Sequence, residues 1–505
     1  MSTASKIEYI ALSGGGVKGV VYGGLVEALE ETRLIQGVKG FSGTSAGSNI
    51  SAFLAFGMSA NDLKEKVLNV DLSQKLGKGY LGWFNDGKPM IDFINDLLIN
   101  TIKTNIDNID VNNIPNIDDK GEFEVFKKSL ADEQNKPKIT FGHLALLRKI
   151  KPEKFKDLYI TTVSKQDKEL KIFSSNKERD KDILVADACR ASSSLPLLFS
   201  PADINEEKYL DGGLKNNIPY SAFVDKTHSI EPNKKVEDNS EEKILSKTLV
   251  CTLEPGDRSV KDNLIYKVLH GKGTEQHIWE LSIMERVIVF IMRALNLLHE
   301  GYINDVNKEY IELRKIPFNI LNLNVKGLKT TDFHAADAMG EEKYFQGYFS
   351  TMEHLINYDK LSHLDEITCE MLVDQTRLQE CFFKIITGAN LNRSSTLYTD
   401  LMKYCGKTKF PKLNAADRIG DELNKAYAEP QEEITEYNKA FNKQIVKDFA
   451  DAIKSSSDHS KDLAAEKLQK SLNSMLKDPY IAVEGIKELF KGVQFVGVQV
   501  NSQAK

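Results

Sequence analysis

The 505-residue sequence predicts an α/β fold in its first part and an all-α domain behind it. Three observations lead there. Two short apolar runs, residues 7–12 and 38–41, each pass through a glycine-rich turn straight into a helical stretch, 20–32 and 49–56. Runs with β-branched content at 157–163, 170–173, 248–253 and 318–325 supply further strands. From about residue 359 the strand patterns fade. Apolar residues there recur at steps of three and four, as at Ile434, Tyr437, Phe441, Ile445, Phe449 and Ile453. A chain of this length exceeds one ordinary core, so at least two domains are expected, residues 1–358 and 359–505.

Between the first strands the helical stretches are 60–70, 90–102, one starting at 138–147, and 183–194. Residues 76–84 are glycine-rich and aromatic, with Tyr80, Trp83 and Phe84; they read either as a flap over an apolar cleft or as a surface loop. Residues 105–120, rich in Asn, Asp and Ile, read as an insertion, and 225–247 as a polar surface excursion. The apolar stretch 275–298 contains Glu285 and Arg293, so it does not span a bilayer; it is a buried helix or an interfacial one.

Composition narrows the classes. Apolar residues make up 41% and charged residues 28%, the balance of an ordinary globular protein. A net charge of −6 argues against general nucleic-acid binding and provides no global attraction to an anionic membrane, so lipid contact has to be local. The five cysteines form no C-x-x-C pair, which disfavours zinc and a disulfide framework, and no calcium-loop spacing occurs. Neither metal nor cofactor is expected. Residues 1–9 lack signal-peptide architecture and no run reaches transmembrane length. The expected location is the cytosol, or outside the cell by export without a classical signal.

Gly43-Thr44-Ser45-Ala46-Gly47 is a G-x-S-x-G at a strand-to-helix turn, the context that motif requires. Small residues on both sides let the chain turn sharply and hold the hydroxyl out, while the helix N-terminus behind it favours negative charge. Ser45 is therefore a candidate nucleophile; the alternative is a Gly/Ser turn without chemistry. Ser13-Gly14-Gly15-Gly16-Val17-Lys18-Gly19 follows the first strand. Its backbone N–H groups suit an anion, either a phosphate or a transient oxyanion. The P-loop pattern is absent because Gly19 follows Lys18, and the dinucleotide spacing on Gly14, Gly16 and Gly19 lacks an acidic ribose-binding residue after the next strand. Asp211-Gly212-Gly213 lies at an apolar strand end and reads as a hairpin turn or as a base that flexible backbone lets another loop approach. None of the nine histidines sits in a catalytic motif; His143, His228 and His334 are the candidates for a triad, and each reads as a surface or satisfied histidine.

In that order the three stretches resemble the patatin-like phospholipase family, with support from Thr140-Phe141-Gly142, Arg190-Ala191-Ser192, Asn217-Ile218-Pro219, Thr331-Asp332-Phe333 and Gly347. The resemblance covers residues 6–358. It implies a mostly parallel central sheet flanked by helices and a Ser–Asp dyad in place of a triad. On it Ser45 is the nucleophile, Asp211 its base, Gly14, Gly15 and Gly16 the oxyanion hole, and Lys18 the supporting basic residue. The implied activity is acyl-ester hydrolysis of phospholipids at a membrane surface through an acyl-enzyme.

The helical half lies outside that resemblance. It serves as a partner- or membrane-binding module that controls the lipase, or as a packing extension. An appended helical half also resembles bacterial patatin-like effectors delivered into host cells and silent until a host protein binds, so a small GTPase or ubiquitin is an expected activator. Two other classes fit parts of the sequence: a binding protein that kept the fold without turnover, and a nucleotide-binding enzyme using the glycine loop.

Overall fold

The computed structural model describes residues 7–68, 87–107, 109–110, 114, 116–132, 134–195, 199–224, 243–253, 320–325, 328 and 333–365, with scattered positions up to 387. The chain divides into two compact units, Met1–Leu361 and Ser362–Lys505. The possible flap at 76–84, the apolar stretch 275–298, His228 and the amphipathic residues 434–453 lie outside the described residues.

One eight-stranded sheet organises the first unit. Its strands are β1 (Tyr9–Leu12), β2 (Gly40–Gly43), β3 (Asp157–Ser164), β4 (Leu170–Ser174), β5 (Ala202–Ile204), β6 (Glu207–Asp211), β7 (Thr248–Thr252) and β8 (Ile320–Asn322). Strands β3, β2, β1, β7 and β8 pair in parallel, and β4, β6 and β5 add antiparallel strands on the β3 side. This is the mostly parallel sheet expected. Ile10, Ala11 and Leu12 of β1 are fully buried, as befits a strand with cover on both faces. Strand β5 had no counterpart in the sequence reading, because three residues leave no period to read.

The register around β3 determines where the site forms. Strand β4 pairs with residues 159–163 of β3. Strand β2 pairs with 157–160 and β6 with 162–164. A strand has only two edges and β4 overlaps both stretches, so β2 and β6 share the opposite edge. They run towards each other: β2 ends at Gly43 opposite Ile160, and β6 ends at Asp211 opposite Thr162. The two residues beyond Gly43 lead to Ser45, so the sheet itself brings two distant parts of the chain head to head.

The α-helices of eight residues or more among the described residues are α1 (Tyr22–Glu31), α2 (Ala46–Ala55), α3 (Lys88–Ile106), α4 (Ile117–Ala131), α5 (Phe141–Ile150), α6 (Val185–Ser192) and α7 (Phe333–Asn357). Helix α4 begins inside the 105–120 stretch that reads as an insertion and runs on beyond it to Ala131. Phe123, Phe126 and Leu130 form its buried stripe at steps of three and four. Its start was hidden by the Asn/Asp-rich run before it. Helix α5 is capped by Thr140, whose hydroxyl accepts from the His143 N–H at 3.2 Å. The His143 ring stacks on Phe126 at 4.3 Å. That histidine is a capping and packing residue.

Helices α1 and α7 cross at glycines. A Cβ on Gly24 would lie 1.8 Å from the Tyr344 carbonyl oxygen, and one on Gly347 would lie 2.0 Å from that of Val21. Both contacts are with backbone, so no side-chain motion relieves them. Gly24→Ala is expected to cost about 1–3 kcal/mol through overpacking, well beyond the gain in helix propensity. A thermal melt of the variant checks this; an unchanged or raised Tm would mean the helices do not approach this closely.

Candidate active site

Ser45 sits on the turn between β2 and α2 with φ 51° and ψ −123°, a region L-residues rarely adopt. Such a conformation costs on the order of 1–3 kcal/mol and persists only where the surroundings enforce it. Here they do. A Cβ on Gly43 would meet the Gly47 carbonyl oxygen at 2.3 Å, and one on Gly47 would meet that of Leu12 at the same distance, 2.3 Å. Both glycines of the motif are therefore demanded by close backbone approach. The Ser45 N–H donates to the Ser192 hydroxyl at 2.8 Å, and the Ser48 hydroxyl donates back to the Ser45 carbonyl at 2.6 Å. Ser45 stays partly exposed while Gly43, Thr44, Gly47 and Ser48 are buried. The result is a hydroxyl held out from a rigid turn at a helix N-terminus.

Asp211 closes β6 and is 4% exposed. Its N–H donates to the Ser194 carbonyl at 3.1 Å, and its Oδ1 accepts the Gly213 N–H at 2.7 Å. Burial pushes the carboxyl up to about 7, against the opposing pull of the Gly213 N–H and of hydrogen bonding from the Ser45 hydroxyl. Gly212 has no room for a side chain, since a Cβ would lie 2.3 Å from the Thr161 carbonyl oxygen. The Asp-Gly-Gly motif thus lets the carboxylate loop press onto β3 beside the Ser45 turn.

Thr44 ties the two loops together. Its hydroxyl donates to the Asn216 carbonyl at 2.9 Å and pairs with the Thr161 hydroxyl at 2.6 Å. Each of these groups is buried, so leaving one unpaired carries a desolvation penalty. Sequence reading assigned no role to Thr44, Thr161 or Ser192; each is a small polar residue whose importance lies in long-range contacts.

The glycine loop passes directly beside Ser45. A Cβ on Gly14 would lie 3.0 Å from the Ser45 Cβ. The Gly14 N–H donates to the Asn217 carbonyl at 3.2 Å. Among the described residues, the N–H groups of Gly15 and Gly16 have no protein acceptor, and neither has that of Ala46, the first residue of α2. Gly16 has φ 58°, which suits glycine. Behind the loop, the buried Tyr22 hydroxyl donates to the Ser13 carbonyl at 2.7 Å, and the Ser13 hydroxyl accepts the Leu253 N–H at 3.1 Å. Lys18 lies on the short 3-10 turn Gly16–Val21 that leads from this loop into α1 and is half-buried.

Ser45, Asp211 and Gly14–Gly16 are thus brought together, whereas His143 belongs to the α5 cap. A hydroxyl within hydrogen-bonding reach of a carboxyl poised near neutrality, with unpaired N–H groups alongside, is equipped for base-assisted attack on a carbonyl and for holding the oxyanion that results. Arg190, buried beneath this region, donates to the Ser194 hydroxyl and to the Ser200 carbonyl at 2.9 Å, bracing the segment that receives the Asp211 N–H.

Residues 10–224 match the patatin-like phospholipase family model. Two uncharacterized proteins of Acanthamoeba polyphaga mimivirus are similar in sequence. One is 28% identical over 252 residues, covering 42% of this chain and 62% of the relative. The other is 26% identical over 222 residues, covering 44% of this chain and 63% of the relative. In both cases the chain spans less than two thirds of the relative's length. Among solved structures, VipD from Legionella pneumophila is 17% identical, with a TM-score of 0.48 and coverage of 97% of this chain and 90% of that one. The type III effector ExoU is 15% identical, with a TM-score of 0.39 and coverage of 98% and 94%.

Proposed function

We propose that the chain is a serine lipid acyl hydrolase of the phospholipase A type, acting at a membrane surface. Ser45 is the nucleophile, Asp211 the base, the Gly14–Gly16 backbone the oxyanion hole, and Lys18 a supporting positive charge. The observation that carries this reading is the approach of the Ser45 hydroxyl to a buried carboxyl whose pKa is raised to about 7. An aspartate at its ordinary pKa is a poor base at neutral pH, and burial corrects that.

In the first half-reaction the Ser45 Oγ attacks the ester carbonyl while its proton passes to Asp211. The tetrahedral oxyanion is held by the glycine-loop N–H groups. Collapse breaks the ester C–O bond, and the proton goes from Asp211 to the departing alcohol. Water, deprotonated by the same carboxylate, then attacks the acyl carbonyl; the bond to Ser45 Oγ breaks, the proton returns from Asp211 to Ser45, and fatty acid leaves.

The Ser362–Lys505 unit is proposed as a module that binds lipid or a protein activator, a small GTPase or ubiquitin being the candidates, in the manner of an effector working inside a host cell. The helical spacing of its sequence supports a folded module. Release of fatty acid from phosphatidylcholine–phosphatidylserine vesicles tests the whole reading: wild type releases it, with a rise in rate when the activator is added, and Ser45→Ala does not. Full turnover with nothing added would remove the activation step, and no release under either condition would remove the lipase assignment.

A further inference from the structure

We propose that Asn217 is a positioning residue that aims the glycine-loop N–H groups and keeps that loop in register with Asp211. The inference rests on the catalytic reading above and deepens it.

Asn217 grips Gly14 from both sides. Its carbonyl accepts the Gly14 N–H at 3.2 Å, and its side-chain Nδ2 donates to the Gly14 carbonyl at 3.3 Å. The Gly14 carbonyl and the Gly15 N–H belong to one planar peptide and point in opposite directions. Holding the carbonyl therefore sets the direction of the Gly15 N–H. Three successive glycines have little intrinsic preference for one peptide orientation, so the loop needs an external clamp. Asn217 supplies it from the same loop that carries the base.

The side chain also fills the space between the two loops. Its Oδ1 lies 2.6 Å from where a Cβ on Gly14 would stand and 3.0 Å from where one on Gly213 would stand. Gly213 in turn donates its N–H to the Asp211 carboxylate at 2.7 Å. One carboxamide thus touches the segment that receives the oxyanion and the segment that orients the base. A contact made only for packing does not require a donor facing the Gly14 carbonyl; a positioning contact does.

The test uses the full chain with Asn217→Ala and the near-isosteric Asn217→Leu, which keeps the volume, loses the donor and adds no charge. Vesicle turnover, the second-order rate of inactivation by a fluorophosphonate, and Tm are measured for each. Loss of aim at the oxyanion is expected to lower kcat about 100-fold in both variants, with KM within about threefold of wild type, because the transition state is affected and the ground state is not. Fluorophosphonate inactivation, which forms a tetrahedral centre at the same place, slows in parallel. The midpoint of the pH profile of Asn217→Ala stays where wild type has it, since burial and the Gly213 and Ser45 hydrogen bonds set the Asp211 carboxyl and Asn217 makes no bond to it. Should Asn217→Ala fold poorly, Asn217→Leu decides. A folded variant with kcat within twofold of wild type, or a loss that appears in KM alone, would overturn the positioning role while leaving the Ser45–Asp211 reading intact. A wild type with no Ser45-dependent turnover would overturn both.

Discussion

Replacing Asp211 with asparagine is expected to lower kcat by about 10⁴ while leaving the fold in place. Asparagine has nearly the same shape, and its Oδ1 still accepts the Gly213 N–H that Asp211 accepts at 2.7 Å. What it lacks is the capacity to take the Ser45 proton. General acid–base assistance by a positioned side chain contributes about 10²–10⁴-fold, and the upper end applies to a base that serves both half-reactions. The pH dependence follows from the same carboxyl. Only the ionised form acts as base, so wild-type kcat/KM should rise with pH and reach half its plateau near the Asp211 pKa of about 7. The residual activity of Asp211→Asn should show no such inflection.

Stability should move the other way. The folded pKa lies above the ordinary value of 3.8, so between about 4 and 7 the native state holds a proton that the unfolded chain has lost. Native binding of more protons means that stability falls as pH rises through this window. A displacement of about three units corresponds to roughly 4 kcal/mol at most, by the factor of 1.36 kcal/mol per unit. Asparagine is neutral at every pH and escapes that cost. Asp211→Asn is therefore expected to melt at higher temperature than wild type at pH 8, with the difference shrinking towards pH 4. Thermal melts across that range check it. A variant that is less stable than wild type at pH 8 would mean that the carboxylate is better solvated than its burial implies.

Ser45→Ala removes the group that forms the covalent bond, and its loss should be the largest of any single change. Nucleophile deletions in serine hydrolases cost around 10⁶ in kcat, with the remainder supplied by the oxyanion donors and substrate binding. Alanine retains the Cβ and the N–H to Ser192, so the turn remains constrained by Gly43 and Gly47. The positive φ of 51° is unfavourable for alanine as it is for serine, and the hydroxyl is not what enforces it. Fatty acid release and fluorophosphonate labelling should therefore vanish while the melt stays close to that of wild type.

Several parts of this site were legible in the sequence because they depend on local chemistry. Gly43, Ser45 and Gly47 announce a sharp strand-to-helix turn, and the three glycines from Gly14 announce backbone that an anion can approach. The parallel core strands were visible as short apolar runs ending in those turns. The meeting of Ser45 and Asp211 was different. It depends on β2 and β6 sharing one edge of β3, a long-range register that periodicity does not encode, so it entered through family resemblance. The raised pKa of Asp211 was equally invisible, since it comes from burial beneath segments remote in sequence. Thr44, Ser192 and Asn217 carry no chemical signature of their own; their contacts at 2.9, 2.8 and 3.3 Å appear only once the loops are folded together. Helix α4 was masked by the Asn/Asp/Ile-rich run before it.

The most direct test of the central claim is to find where a fluorophosphonate bonds. Wild type, Ser45→Ala and Asp211→Asn are treated with the reagent, digested, and mapped by mass spectrometry. A single phosphonylated serine at position 45 is expected in wild type, forming faster above pH 7 than below it, forming far more slowly in Asp211→Asn, and absent from Ser45→Ala. Modification of a different residue, or a Ser45 adduct that forms at the wild-type rate without the Asp211 carboxylate, would contradict the pairing of these two groups.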